Sequence, residues 1–211
     1  MNKRDAVETK TRILSTAEKL FSEVGFDGAR VDDIAKEAGV NKALIYYYFK
    51  SKDEILDTLF SALIDEIKQV LIQKTVAGTP EIQDNIINGD YRPLIDAFMD
   101  FMFRKRKIIK IVIGESVKAS TKLSMVMKVG TLIIDGEIES IRKAYESKGL
   151  HFSVNKQEFL VTEFFTGFMP LISYALYGDE WQKIYHISEK DLREQFYQSF
   201  KKTHLAAHLG E

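Results

Sequence analysis

Apolar residues recur at a helical period along most of the chain, and the clearest pattern lies at residues 31–49. Four apolar residues at its start share one helical face: Val31, Ile34, Ala35 and Ala38. Gly39 follows them directly, where glycine can adopt the left-handed conformation that closes a helix. Asn41 is a favoured N-cap residue, so a second helix is expected from Lys42 to Phe49. The pattern predicts two short helices joined by a tight turn.

The second of these helices has an outward face that suits DNA. With Leu44 or Ile45 and Phe49 turned inward, the outward face carries a lysine, a small residue and a tyrosine: Lys42, Ala43 and Tyr47. Tyr46 and Tyr48 are further candidates for this face. Lysine can contact phosphates or guanine, a small residue allows close approach, and tyrosine can contact phosphates and thymine methyl groups. A helix-turn-helix places its second helix in the major groove. Similar corners also occur in proteins that never bind DNA, so the corner alone leaves both readings open.

The residues around the corner carry a family resemblance. A predicted helix at Thr9–Phe21 is followed by Gly25-Phe26, and the corner contains DIAKEAGV, Ile45-Tyr46 and Tyr48-Phe49 before the SKDE of residues 51–54. In these parts and their spacing, about the first 56 residues resemble the N-terminal domain of the TetR family of bacterial transcription regulators. The resemblance implies a three-helix DNA-binding domain, a homodimer that binds a palindromic DNA operator, and a C-terminal half that senses small molecules.

Some positions depart from the family pattern. Ala29-Arg30 stands where the family usually has Thr or Ser before Val31, which removes about 1 kcal/mol of helix capping. We expect Arg30 to replace that hydroxyl as a phosphate contact. Asn41 replaces the usual Ser, and Leu44 stands where Thr is common, so Leu44 either contacts a thymine methyl group or belongs to the core.

The helix after the corner begins with a capping box, in which Ser51 is followed three residues later by Glu54. Its free N–H groups and the Lys52 ammonium can face a DNA phosphate. An apolar stripe continues to about residue 74, which indicates a connecting rod. The predicted DNA-binding residues are Arg30, Asn41, Lys42, Ala43, Leu44, Tyr46, Tyr47, Tyr48 and Lys52.

Glycine and proline interrupt the helical pattern at residues 76–80 and 88–93. We therefore place a DNA-binding domain at residues 1–56, with the rod continuing to about 74, and a larger ligand-binding and dimerisation domain at 75–211. Beyond the breaks the periodicity predicts helices and no convincing strand, at residues 92–106, 108–116, 122–148 and 159–176, with a last helix from Ser188. The expected fold class is all-α.

The last two predicted helices are candidates for a dimer interface. Residues 159–176 are apolar on almost every side, which exceeds what one core face needs. The resemblance implies that both helices pair with their symmetry mates in a four-helix bundle. Ordinary packing within one chain is the alternative. The predicted interface residues are Phe165, Ile172, Leu192, Phe196 and Phe200.

Aromatic and methionine residues are concentrated in the C-terminal half, where they can line a pocket for a small hydrophobic ligand. Glu115, in an apolar segment, could meet a polar or cationic group. A plain hydrophobic core is the alternative. The predicted ligand-binding residues are Phe98, Met102, Glu115, Met125, Phe164 and Phe168.

Composition narrows the function without identifying it. The net charge is −1, and residues 1–52 hold ten Lys or Arg against eight Asp or Glu, so DNA binding depends on how charges are sorted over the surface. The chain has no cysteine, no targeting segment and no enzyme motif. His204 and His208 could share a metal, but a solvated tail explains them better. We expect a cytoplasmic, ligand-responsive repressor with no cofactor, no metal, no enzymatic activity and no membrane partner; an all-helical enzyme or an interaction module without DNA binding is the alternative.

Overall fold

A computed structural model describes residues 3–71, 84–85, 88–118 and 125–206, which contain helices and no strand. The predicted all-α fold class is confirmed. The chain forms two compact units, one of Met1–Glu66 with Lys107–Val126 and the other of Ile67–Arg106 with Met127–Glu211. His208 and the predicted break at residues 76–80 lie outside the described residues.

The N-terminal part of the first unit consists of helices α1 (Lys3–Gly28), α2 (Val31–Ala38), α3 (Lys42–Tyr48) and α4 (Lys52–Leu71). α1 begins before the predicted start at Thr9 and is interrupted near its end, because Gly25 has φ 78° and ψ 162°. The core of these four helices consists of fully buried side chains, including one from the α3–α4 connection: Ile13, Phe21, Ile34, Ile45, Phe49 and Ile55. The predicted inward face of α3 is therefore confirmed.

The turn between α2 and α3 has the predicted chemistry. Gly39 adopts the left-handed conformation (φ 64°, ψ 37°), and the Val40 N–H donates to the Ala35 carbonyl at 3.0 Å. The Asn41 side chain caps α3 by accepting a hydrogen bond from the Leu44 N–H at 2.7 Å. At the start of α2, Arg30 occupies the N-cap position without a side-chain cap. Local chemistry therefore fixes the angle at which α3 leaves the turn.

The start of α4 is held by a reciprocal pair of hydrogen bonds. Ser51 Oγ accepts from the Glu54 N–H at 3.1 Å, as the capping box predicts. Glu54 Oε2 in turn accepts from the N–H of Lys50, one residue before the cap, at 2.6 Å. Both bonds satisfy donors that would otherwise be free at a helix start, so the α3–α4 connection is well defined.

Helix α5 (Arg92–Arg104) belongs to the second unit, whereas α6 (Arg106–Lys118) lies in the first unit from Lys107 onward. The predicted second domain contained both helices. The two compact units therefore do not coincide with the predicted domains at residues 1–56 and 75–211. The predicted boundary near residue 75 lies outside the described residues, and the functional division there stays a prediction.

The remaining helices belong mainly to the second unit. α7 (Met125–Ser147) is followed by Gly149 at φ 69°, and Asn155 caps α8 (Lys156–Thr162). A π-helical segment, π1 (Glu163–Phe168), joins α8 to α9 (Met169–Tyr185). Ser188 caps α10 (Glu189–Phe200), which continues into a second π-helical segment, π2 (Lys201–Leu205). The predicted helix at 159–176 is therefore part of a longer run with a π-helical segment inside it.

Ion pairs join α5 to α10. Arg92 contacts Glu194 at 2.9 Å, and Arg193 contacts Asp96 at 3.0 Å and Asp100 at 2.7 Å. The hydrogen bonds to Asp96 and Glu194 raise the pKa of Arg92 above its ordinary value. Beneath these pairs lies an apolar cluster that contains Ile95, Met99, Leu171, Phe200 and Leu205.

The run Lys156–Tyr185 is long and apolar enough to cross a membrane by length and composition. The core helix of a soluble protein meets the same criterion, and 39 % of the most apolar window is buried inside the protein. The run thus provides core side chains such as Phe159, Phe168 and Ile172, together with exposed aromatic side chains.

Replacing Asn41 with alanine should lower the free energy of unfolding of the first unit by about 1 kcal/mol, because the Leu44 N–H loses its side-chain acceptor. Urea unfolding followed by circular dichroism would measure the change. Asn41→Ser keeps a capping oxygen and should remain close to wild type. Equal loss in the two variants would contradict the capping role.

Candidate nucleic-acid interface

The outward face of α3 presents polar and aromatic side chains together. Lys42, Ala43, Tyr46 and Tyr47 are exposed, and the Tyr47 side chain is 76 % exposed. Leu44 and Tyr48 are half-buried at the edges of this face. The structure therefore brings the predicted recognition residues onto one surface, which we call the α3 face (Lys42, Ala43, Tyr46, Tyr47).

The tyrosine rings at the end of α3 support one another. The centroids of Tyr47 and Tyr48 are 5.2 Å apart, with an edge-to-face angle of 82°. This is a favourable arrangement for aromatic rings, and it limits the directions in which Tyr47 can point. A large ring that is held in place while mostly exposed is well suited to contact another molecule.

Beside the α3 face lies an open pocket of about 400 Å³, formed by the α1–α2 corner, α3 and the start of α4. Its lining includes four cationic residues and one carboxylate: Arg30, Lys42, Lys50, Lys52 and Asp27. The N-terminus of α4 opens onto the same place, and its partial positive charge favours anions. We call this feature the cationic pocket. Its size and charge suit a phosphate group of the DNA backbone.

Lys52 makes intramolecular contacts in addition to the phosphate contact that is predicted for it. Its ammonium donates to the carbonyl oxygens of Phe26 at 2.7 Å and Ala29 at 3.0 Å, and it lies 4.4 Å from the centroid of the Phe26 ring. These contacts attach the start of α4 to the α1–α2 corner. The predicted phosphate contact of Lys52 stays a prediction, and its removal must also disturb the corner.

Lys42 is held by an intramolecular carboxylate. Its ammonium lies 3.0 Å from Asp32, and this hydrogen bond raises the pKa of Lys42. Asp32 therefore competes with any phosphate for the same cation. Sequence reasoning had overlooked Lys50, whose backbone N–H donates to Glu54 at the start of α4.

Helix α6 reaches the edge of the cationic pocket. The Lys118 ammonium contacts Asp27 and Glu115, each at 2.8 Å, and the hydrogen bond from Lys118 lowers the pKa of Asp27. Lys118 thus partly neutralises the single carboxylate that lines the pocket. Glu115 belongs to the first unit, and its predicted role in a ligand pocket stays a prediction.

The other predicted ligand residues divide in a similar way. Phe98, Met102 and Phe168 line one cavity of about 40 Å³ in the second unit. Phe164 packs against the neighbouring core with its ring 5.9 Å from that of Phe168, and Met125 belongs to the first unit. Three of the six predicted residues thus share one cavity.

The predicted dimer residues also differ in exposure. Phe165 is 64 % exposed, and Leu192 and Phe196 are half-buried in the wall of an open groove between α9 and α10. Ile172 and Phe200 are buried within their own unit, so they have almost no surface to offer a partner. Sequence reasoning overlooked the most exposed apolar side chains of this groove, which are Tyr177, Trp181 and Ile184.

The geometry defines a helix-turn-helix protein whose exposed second helix lies beside a cationic pocket. Residues 13–59 match the tetR family of bacterial regulatory proteins. This stretch contains the α2–α3 turn, the α3 face and the start of α4. Residues 13–59 thus carry the DNA-binding part of this family, in agreement with the resemblance of the first 56 residues.

Curated relatives match part of the chain. YttP of Bacillus subtilis, a probable HTH-type transcriptional regulator, is 31 % identical over 124 residues, which cover 57 % of this chain and 56 % of YttP. IcaR of Staphylococcus aureus, a negative transcriptional regulator of the icaADBC biofilm operon, is 38 % identical over 63 residues, covering 30 % and 34 %. The chain thus spans between about a third and just over half of these relatives' lengths.

The fold as a whole resembles solved structures of regulators. A TetR-like transcriptional regulator from Rhodococcus sp. RHA1 matches with a TM-score of 0.61 and 20 % identity, over 96 % of this chain and 97 % of that one. At this identity the likeness concerns the fold, which both chains share over almost their full lengths.

Replacing Lys52 with methionine should destabilise the first unit by about 2 kcal/mol, since the Phe26 and Ala29 carbonyls lose a charged donor while the side chain keeps its length. The matched control is Lys50→Met, which removes an exposed lysine two residues away. Urea unfolding of both variants would test this. If they are equally stable, Lys52 does not hold the corner.

Proposed function

We propose that this protein is a DNA-binding transcriptional repressor that acts as a homodimer and is released from its operator by a small ligand. The observation that carries the proposal is the α3 face, where Tyr47 is mostly exposed beside the cationic pocket. An exposed aromatic and lysine face next to an anion site suits a surface that contacts base edges and phosphates together.

In this proposal α3 enters the major groove and the cationic pocket fixes its register. Arg30, Lys50 and the N-terminus of α4 contact phosphates, which position the protein without reading sequence. Tyr46 and Tyr47 contact bases, and Ala43 allows α3 to approach closely. On binding, the Lys42 ammonium leaves the Asp32 carboxylate and contacts the DNA. This exchange is favourable because an exposed ion pair contributes little to stability, whereas a phosphate contact also releases counterions.

A second copy of the chain is the proposed occupant of the α9–α10 groove. Tyr177, Trp181 and Ile184 follow one face of α9 at helical spacing, and the groove beside them has a volume of about 710 Å³. Exposed tyrosine and tryptophan are the residues that contribute most to interfaces. Twofold symmetry would double a short recognition site and give a palindromic operator, with half-site centres about 34–36 Å apart or a multiple of a turn.

Repression and ligand release are the finer parts of the proposal. IcaR, which is 38 % identical to this chain over 63 residues, is a negative regulator. The cavity lined by Phe98, Met102 and Phe168 in the second unit offers a place for a ligand. To weaken operator binding a hundredfold, the ligand must favour the non-binding state by about 2.7 kcal/mol.

An operator can be selected by the wild-type protein from a randomised duplex library. Arg30→Ala should then weaken binding to all duplexes alike and reduce the slope of log K against log salt by about 0.9, since one phosphate contact is lost. Tyr47→Ala should weaken binding to the selected sequence by about 1–3 kcal/mol and bind unrelated DNA almost normally.

Lys110→Ala, which removes an exposed lysine of α6 outside the interface, is the control for charge and should bind like wild type. Fluorescence anisotropy at several salt concentrations measures all three variants. Selection that enriches no sequence, or binding that does not weaken with salt, would contradict DNA recognition by this face.

The dimer is tested by placing a carboxylate in the groove. Trp181→Glu should convert the dimer to a monomer at micromolar concentration and weaken operator binding, because a charge cannot be buried in an apolar interface without a partner. Leu150→Glu changes a comparably exposed apolar residue in the connection between α7 and α8 and should remain dimeric. Sedimentation equilibrium gives the mass, and a wild-type monomer would exclude the proposed dimer.

A further inference from the structure

The cavity in the second unit contains acidic and basic groups among its apolar walls. Glu137 comes from α7, Glu163 from π1 and His204 from π2. The side chains of Glu163 and His204 are each 4 % exposed. Burial of ionisable groups is costly, and acidic side chains are almost never fully buried without a specific arrangement around them. Neither the DNA interface nor the dimer groove uses these residues.

These polar groups contact one another directly. His204 Nε2 lies 3.4 Å from Glu163 Oε2, and His204 Nδ1 lies 2.9 Å from Thr166 Oγ1. Burial raises the pKa of Glu137 well above its ordinary value, and the adjacent Glu163 carboxylate, which shares a hydrogen bond with Glu137, raises this pKa further. Two neighbouring carboxyl groups in such a place retain a proton between them, because both cannot ionise cheaply. We call Glu137, Glu163, Thr166 and His204 the carboxyl cluster.

The backbone is adapted to bring the carboxyl cluster together. Glu163 and Thr166 lie in π1 and His204 lies in π2, so both helical runs change to π geometry where they supply these groups. Gly167 permits the close approach, because a Cβ there would lie 2.7 Å from His204 Cε1 and 3.2 Å from Glu163 Oε2. Short π-helical segments are frequent at functional sites.

A second, more polar pocket adjoins the cavity. It has a volume of about 390 Å³, and Tyr91 and Ile141 contribute to the walls of both spaces. Its other lining residues include several hydrogen-bonding groups: Tyr145, His151, Ser153, Asn155, Glu158 and Thr162. The inner cavity of about 40 Å³ has room for a few water-sized groups, and the outer pocket has room for a small organic molecule.

We propose that this paired site binds a small organic amine, with its ammonium group at the carboxyl cluster and its remaining part in the outer pocket. An ammonium group can replace the shared proton and donate hydrogen bonds to both carboxylates. The rings of Phe98 and Phe168 in the same cavity also favour a cation. A carboxylate ligand would instead face two carboxyl groups. Among the described residues no group of three or more His, Asp or Glu side chains is arranged to hold a metal ion.

The test compares three probes with the same four-carbon chain: butylammonium, butyrate and butanol. Titration calorimetry of the wild-type protein at neutral pH should show butylammonium binding at least tenfold more tightly than the other two. Binding should also release a proton, because the ammonium displaces the one held by Glu137 and Glu163. Repeating the titration in buffers of different ionisation enthalpy measures that proton. Equal binding of the three probes, or no binding of butylammonium, overturns the proposal without depending on any variant.

Variants locate the site. Glu137→Gln and Glu163→Gln should each remove the preference for butylammonium, whereas Glu139→Gln should keep it. Glu139 lies on the same helix as Glu137, and its carboxylate pairs with Arg142 and Lys143 at the surface. Gly167→Ala changes no charge but fills the space beside His204, and it should also weaken butylammonium binding. Retention of the preference in both glutamine variants would place the amine elsewhere.

This inference rests on the proposed function only for its effect on DNA. Operator binding is therefore measured separately with butylammonium present. Amine binding with unchanged operator affinity supports the site and contradicts the proposed release by ligand. Operator binding that is normal in a protein with no preference for the amine overturns the site and leaves the DNA-binding proposal standing.

Discussion

The position of α3 depends on how the carbonyl groups at the end of α1 are satisfied. Gly25 interrupts α1 and turns the backbone, so the carbonyls of Phe26 and Ala29 do not continue an ordinary helical ladder. The Lys52 ammonium, in the first turn of α4, donates a hydrogen bond to each of these two carbonyls. One side chain thereby joins the α1–α2 corner to α4, and the α2–α3 pair lies between the two points it connects.

Much of the first unit could be predicted because its determinants are local. The αL glycine at 39, the Asn41 cap and the Ser51–Glu54 box each act within four residues, so the sequence reveals them directly. The Lys52 contacts could not be predicted in this way, since its acceptors are backbone carbonyls 26 and 23 residues earlier in the chain. Every residue has a backbone carbonyl, so the sequence does not identify which two carbonyls lie near Lys52 in the folded chain.

In the second unit the sequence indicated helices but not which side chains face outward. The run around residues 159–176 is apolar on nearly every side, so periodicity gives no direction, and the π-helical segment from Glu163 to Phe168 alters the phase of the helix. Phe165 is therefore exposed while Ile172 is buried. The cavity was anticipated through Phe98, Met102 and Phe168, but its carboxyl cluster depends on three separate elements meeting.

The pairing of Lys42 with Asp32 bears on how such a protein would search a chromosome. In the proposed complex with DNA, Lys42 leaves a carboxylate that lies 3.0 Å away in the free protein, and Asp32 then faces the phosphates. On an arbitrary duplex, only the attraction between cations and phosphates offsets the repulsion of Asp32 by the phosphates. At the correct sequence, base contacts add to that attraction. In the proposed complex the carboxylate therefore weakens contact with every duplex by a similar factor. Encounters with unrelated DNA, which lack base contacts to offset this loss, are then brief, while base contacts keep the protein on its operator.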